Sequence, residues 1–447
     1  MKQNPPSATW SRVGDSLNDN TPDFFVAVNV AHVDRLPTRS ACGTIRTRRD
    51  GGKEICTRAG DGQMAELAYA LALGASGAIH EGSNPSLPTT CAGSSGHPTG
   101  CPIKQLCDPL SRYHPTSLLR SHVGNFHMNP VLETTKFVID RAEFVGINQD
   151  RLVEFARTFE HGTTTHWLSA APFDFSHLSR ADQMRFVFLF NSLNFCYWSE
   201  PKWTVEYRGK THDGAWGMIV ALGRAIDEGV PLLEFGFLAD IDRDTFVRVL
   251  RGNVEIPLFE ERWKIAREIG AVMSDQFGGD VENVAREAGG DALTFVDLVT
   301  DRFTSFSDRA EYRGEAVAFN KRAQLLAADI GQLFAAGCGN PAYFEGTEHL
   351  TACADYKLPQ ILRKKGILEF VPDLADRIDR RVELAHGSPE EVEIRAATIR
   401  AVELIRREVE KRNPSIRSFE INDHLWLATQ EKYPDDKPYH RTRTTAY

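Results

Sequence analysis

Along the first 126 residues the apolar positions keep no steady period, whereas from about residue 129 amphipathic runs follow one another with short breaks. The early part is rich in Gly, Pro, Ser and Thr, and its patterned stretches are an apolar patch, Phe24–Val33, and a helix-like run, Met64–Leu73. Further on, helical spacing predicts helices over Gln149–Phe159, Arg180–Phe195, Gly214–Asp227, Asp242–Leu250, Leu258–Phe277, Val281–Ala288 and Ala292–Phe303. His166 and Trp167 fall in a loop, and Lys202–Tyr207 with Gly209–His212 predict a small hairpin, the one clear strand signal. The sum is a mainly α domain over residues 127–447, preceded by an irregular extension over 1–126, disordered or mis-annotated.

Two later helices carry the most information. Over residues 314–336, Phe319, Ala323, Leu326, Ile330 and Leu333 repeat as one core stripe, with Lys321, Leu325 and Asp329 on its flank. Pattern alone favours two solvated flank charges there; a cleft-lining lysine and aspartate is the other reading. Ser388-Pro-Glu-Glu391 reads as a capping box opening a helix to about Lys411, with a broad apolar face. Glu393 lies in that face and calls for a partner, Arg395 or a ligand. Phe419–Gln430 predicts a last helix, and the polar tail from His440 reads as frayed.

Between these helices, Thr351–Leu368 places one carboxylate, Asp355, in a short non-helical run. Pro359 predicts a helix start and Gly366 its stop. A carboxylate beside a helix N-terminus sits in a field that favours its charged form, which suits a group facing developing positive charge. A simple turn or capping role is the competing reading.

Composition narrows the function. Hydrophobic residues make up 42 % of the chain, ordinary for a globular protein. Residues 127–447 carry 40 Lys+Arg against 51 Asp+Glu, which argues against a binder of phosphate polymers. No apolar run is long enough to span a bilayer and the N-terminus lacks a signal-peptide core, so an intracellular, cytoplasmic protein is expected. Cys42, Cys56, Cys91, Cys101 and Cys107 lack close Cys-x-x-Cys spacing, so free thiols are expected and no metal or other cofactor is called for. Within the extension, Gly82-Ser-Asn-Pro85 is one reading of GGTTCGAATCC, a transfer-RNA T-arm, and Met64-Ala-Glu-Leu67 resembles a D-arm. Part of this segment is therefore expected to be translated transfer-RNA gene, which the genomic sequence checks directly.

Six ordered segments carry a resemblance. They are Leu193-Asn-Phe-Cys-Tyr-Trp198, Pro257-Leu-Phe-Glu-Glu-Arg262, the run Lys321–Asp329, Ala354-Asp-Tyr-Lys-Leu-Pro-Gln360, Glu391-Val-Glu-Ile-Arg395 and His440-Arg-Thr-Arg443. Residues 127–447 resemble the queuosine 5′-phosphate N-glycosylase/hydrolase family through them. The resemblance implies a helical fold distantly like helix-hairpin-helix DNA glycosylases. It also implies hydrolysis of the N-glycosidic bond of queuosine 5′-monophosphate, with release of queuine for transfer-RNA modification.

By the same resemblance Asp355 is the catalytic carboxylate, and Lys321, Asp329, Ala354 and Tyr356 are substrate contacts. His166 is the loop histidine of the site. The position two before the aspartate, aromatic in relatives, is Cys353 here, which removes a stacking face. Relatives place an aspartate four residues before the tryptophan corresponding to Trp426; here that position is Asn422, with Asp423 beside it. Lys321, helped by Arg441 or Arg443, is expected to hold the 5′-phosphate. A nucleic-acid-binding or DNA-repair-like helical protein and a non-catalytic scaffold are the alternatives.

Overall fold

In the computed structural model, contacts divide the chain into two units, residues 1–125 and 126–447. The structure describes residues 129–159, 166–333 and 344–447 in full and, ahead of them, the backbone of four strands. Those strands, Ser11–Arg12 (β1), Phe24–Asn29 (β2), Gly43–Arg49 (β3) and Glu54–Ala59 (β4), form an antiparallel sheet in sequence order. The pattern had offered only the apolar patch that becomes β2. The run Met64–Leu73, the transfer-RNA-like stretches and Cys42, Cys91, Cys101 and Cys107 lie outside the described residues.

The second unit is mainly helical. Arg180–Leu193, mostly apolar, is buried at every position from Phe186 to Leu193, where neighbouring elements cover all its faces. It anchors the largest core cluster together with Phe259–Phe277 and Ala292–Arg302. Pro389–Glu410, capped by Ser388, anchors a second cluster with Gln149–Thr158 and Lys357–Lys364. Trp426, on the helix Ser418–Ala428, packs against both clusters. The seam they share holds a cavity.

One close helix contact is set by a glycine. A Cβ at Gly270 would lie 2.2 Å from the backbone nitrogen of Ala239, on the neighbouring helix Phe235–Asp240. Gly270→Ala is therefore expected to destabilise the fold by about 1–3 kcal/mol, read by thermal denaturation.

Most predicted helices appear within two residues of their expected ends, and the hairpin forms as the strands Thr204–Tyr207 and Lys210–Asp213. Its turn residues Arg208 and Gly209 both have positive φ, as a two-residue hairpin loop requires. The expected helix over 314–336 is the clearest correction. Arg309–Tyr312 and Glu315–Ala318 form a second hairpin about Arg313 and Gly314, and the helix runs only over Lys321–Leu333. The Ala-rich strand Glu315–Ala318 carries helix-favouring residues, but Gly314 at φ +82° serves the turn and Asn320 at φ +48° breaks the chain before the helix. Phe319 thus precedes the helix, and Leu333 is part-exposed rather than in the core.

The tail is corrected as well: His440, Thr442, Thr444, Ala446 and Tyr447 are buried. Their alternate spacing is that of an extended strand laid against the core. The backbone oxygen of Tyr447 accepts a 2.8 Å hydrogen bond from the Cys196 amide, and its hydroxyl lies 3.1 Å from His440 Nε2.

Candidate active site

The run from Thr351 to Tyr356 is held on both sides before it delivers Asp355. Gln324 binds the Thr351 amide at 3.0 Å, Asn422 Oδ1 accepts the Cys353 amide at 2.9 Å, and Arg395 Nε reaches the Ala354 carbonyl at 3.3 Å. Arg395 is fixed in turn by a bidentate pair with Asp308, at 2.9 and 2.6 Å, while Asp308 also accepts the Lys321 amide. One buried network therefore sets the strand bearing Asp355 and the start of the helix bearing Lys321.

The next helix begins at Lys357, two residues before the proline expected to open it. Pro359 fits within the first turn because amides there have no intrahelical partner. Asp355 Oδ1 accepts the amides of Lys357 and Leu358, at 2.7 and 3.0 Å. Its Oδ2 has no hydrogen-bond partner among the described residues, and Asp355 lines the cavity. The capping reading of this residue is thus met by one oxygen, and the other is left without a partner among the described residues. Gly366, at φ +71°, closes the helix as predicted.

The cavity measures about 290 Å³. One wall is aromatic: Trp167, Trp216 and Trp426 meet with ring centroids 5.1–5.5 Å apart. Lys202, Lys357 and Lys432 also line it, gathered around Asp213. Asp213 Oδ2 is 2.7 Å from Lys202 Nζ and 3.6 Å from Lys432 Nζ, while Lys357 lies 5.1 Å from the Tyr439 ring centre. Burial and the neighbouring Lys202 charge pull Lys357 below the ordinary lysine range. Asp213 and Asp355 are the carboxylates that face these three lysines, so this end of the cavity carries surplus positive charge.

Behind the aromatic wall, Asp329 is fully buried. Its Oδ1 accepts from Trp167 Nε1 at 2.8 Å and lies 3.0 Å from His166 Nε2, while Oδ2 accepts from Asn191 Nδ2 at 2.8 Å. The carboxylate thereby fixes the edge of Trp167.

The sequence profile described as "Queuosine salvage protein" matches residues 175–447. The chain belongs to this family. It is 40 % identical over 325 residues to a protein of Sphaerobacter thermophilus named queuosine 5′-phosphate N-glycosylase/hydrolase, covering 71 % of this chain and 97 % of that one. The mouse protein of the same name is 36 % identical over 275 residues, 58 % of this chain and 81 % of its own. That of Dictyostelium discoideum is 28 % identical over 342 residues, 72 % of this chain and all of its own.

For this queuosine salvage family member, the cavity brings together Asp355, Lys321, Cys353, Tyr356, Asn422 and Asp423. Lys321 is buried rather than solvated, and burial pulls it below the ordinary lysine range with Asp355 pushing back. Asp329 and His166 stand behind the wall rather than in it. Ala354 packs in the cluster of Phe319, Val392 and Ala396, outside the cavity lining. Arg441 pairs with Glu200 at 2.6 Å and Arg443 with Glu383 at 3.6 Å, both outside the lining and over Trp198.

Glu393 takes neither partner expected of it. It accepts the amides of Glu143, Phe144 and Val145 and the Tyr312 hydroxyl, a structural role. Sequence reasoning missed Trp216 and the lysine group, whose members come from separate elements. Cys353 is buried, its thiol raised by burial, with Sγ 3.6 Å from the Lys321 carbonyl oxygen.

Proposed function

We propose that the chain hydrolyses the N-glycosidic bond of queuosine 5′-monophosphate, the activity its relatives are named for, and releases queuine for transfer-RNA modification. The observation that carries this reading is a carboxylate with one pinned and one open oxygen, Asp355, in a cavity walled by tryptophan and lined by surplus lysine. A planar 7-deazaguanine packs on the Trp167–Trp216–Trp426 wall, leaving C1′ toward Asp355. As the bond to the base lengthens, positive charge grows on the sugar, and the open Asp355 oxygen stabilises it. The enzyme acts in the intracellular nucleotide pool, on a scaffold related to helix-hairpin-helix DNA glycosylases. No helix among the described residues is long and apolar enough to cross a membrane.

The 5′-phosphate is held by Lys202, Lys357 and Lys432, in place of the Lys321, Arg441 and Arg443 set expected from the sequence. A dianion neutralises the surplus charge there, and binding it away from the reacting bond supplies energy for distortion at the sugar. Incubation with queuosine 5′-monophosphate and with unphosphorylated queuosine tests both points, with free queuine measured by mass spectrometry. The nucleotide is expected to be cleaved faster. Lys202→Ala combined with Lys432→Ala is expected to narrow that preference by about 10-fold or more, since a charge-assisted contact is worth about 1.5–3 kcal/mol. Lys321→Ala is expected to slow both substrates alike; an unchanged preference in the double variant would remove the phosphate from these lysines.

A further inference from the structure

Besides Asp213 among the lysines, three aspartates stand at or behind the cavity, and their surroundings divide them by task. Asp329 accepts three hydrogen bonds behind the wall, and Asp355 accepts two backbone amides while facing Lys321. Asp423 is the third. It lines the cavity from the helix Ser418–Ala428, and it is only 3 % exposed. Its neighbour Asn422 binds the Cys353 amide, two residues before Asp355, so this link brings the two aspartates to one cavity.

The contacts of Asp423 are long amide contacts from Asn422 Nδ2 at 3.2 Å and Gln332 Nε2 at 3.4 Å. No lysine or arginine pairs with it among the described residues. The groups that act on it are His166, Asp329 and Gln332, with Cys353 tied to Asn422 and Lys321 at the far end of the Asp329 helix. His424, next along its own helix, turns to the Phe159 ring.

Resting on the reading above, we infer that Asp423 is the general acid of the reaction, giving its proton to a ring nitrogen of the departing base. The C1′–N9 bond breaks with its electron pair moving to the base, which leaves neutral on accepting the Asp423 proton. Water adds to C1′ through oxygen, and its released proton returns to the Asp423 carboxylate. The cycle then closes without any other reactant. A 7-deazaguanine lacks the nitrogen at which purines usually take the proton, so an acid placed against another ring atom is what this substrate requires. Burial pushes the Asp423 carboxyl up to about 7, with His166 pulling against it and the Asp329 carboxylate adding to it.

The test compares wild type, Asp423→Asn and Asp423→Glu on two substrates. They are queuosine 5′-monophosphate and p-nitrophenyl β-ribofuranoside 5′-phosphate, whose leaving group departs without a proton. For the natural nucleotide, kcat/KM of wild type is expected to fall as pH rises above about 7, where Asp423 loses its proton. Asp423→Asn is expected to lose about 10²- to 10⁴-fold on the nucleotide and to lose that alkaline limb. Its cleavage of the nitrophenyl substrate is expected to fall far less, and Asp423→Glu is expected to recover part of the nucleotide activity. Equal loss on both substrates, or retention of the wild-type alkaline limb, overturns the inference. Infrared difference spectra supply a readout without substrate: a buried protonated carboxyl band at pH 6 is expected in wild type and absent from Asp423→Asn. Its absence from wild type also overturns the inference, whereas failure of wild type to release any queuine overturns the underlying functional reading.

Discussion

Asp355→Asn is expected to lower kcat for queuosine 5′-monophosphate by about 10³-fold or more while leaving the fold intact, because it removes charge and little else. Asparagine keeps a carbonyl oxygen to accept the Lys357 and Leu358 amides, so the helix Lys357–Lys364 retains its start. What disappears is the negative charge on the open oxygen, where an oxocarbenium-like centre forms. The change falls on the transition state, so KM is expected to move much less than kcat. Steady-state kinetics beside a thermal denaturation curve checks both halves. A variant that unfolds early would place Asp355 in the structure rather than in the chemistry.

Asp308→Ala is expected to cost about 3–5 kcal/mol of stability, the largest effect outside the cavity. Arg395 is fully buried, and its two guanidinium bonds to Asp308 leave Glu391 Oε1, at 3.7 Å, as the nearest other carboxylate oxygen. Removing Asp308 leaves a buried cation without its main partner and leaves the Lys321 amide without its acceptor. Arg395 also lies 3.9 Å from the Phe319 ring centre and 4.4 Å from that of Tyr447, so relaxation spreads toward the tail. Chemical denaturation should show the loss, and Asp308→Asn, which keeps an acceptor, should lose less. Equal stability of Asp308→Ala and wild type would contradict the network.

Much of the helical frame was legible because it is written in local spacing. Gly214–Asp227 shows its apolar face, and the helix opened by Ser388 its apolar face and cap, within a few turns. The hairpin over 309–318 was not legible, since Ala and Glu in its second strand favour helix and tertiary contacts decide the outcome. Asp355 and Lys321 were legible as a resemblance, and the structure adds how they are held. The three tryptophans and three lysines around the cavity were not legible, because residues from 167 to 432 meet only after folding. The arginines of the tail illustrate the reverse: their sequence position suggested phosphate binding, but Glu200 and Glu383 occupy them.

The most direct test is product analysis with queuosine 5′-monophosphate and wild-type protein. Free queuine and ribose 5-phosphate are expected in equal amounts, with no queuosine and no inorganic phosphate. Release of phosphate with the nucleoside left intact, or no release at all, would contradict glycosidic cleavage at Asp355.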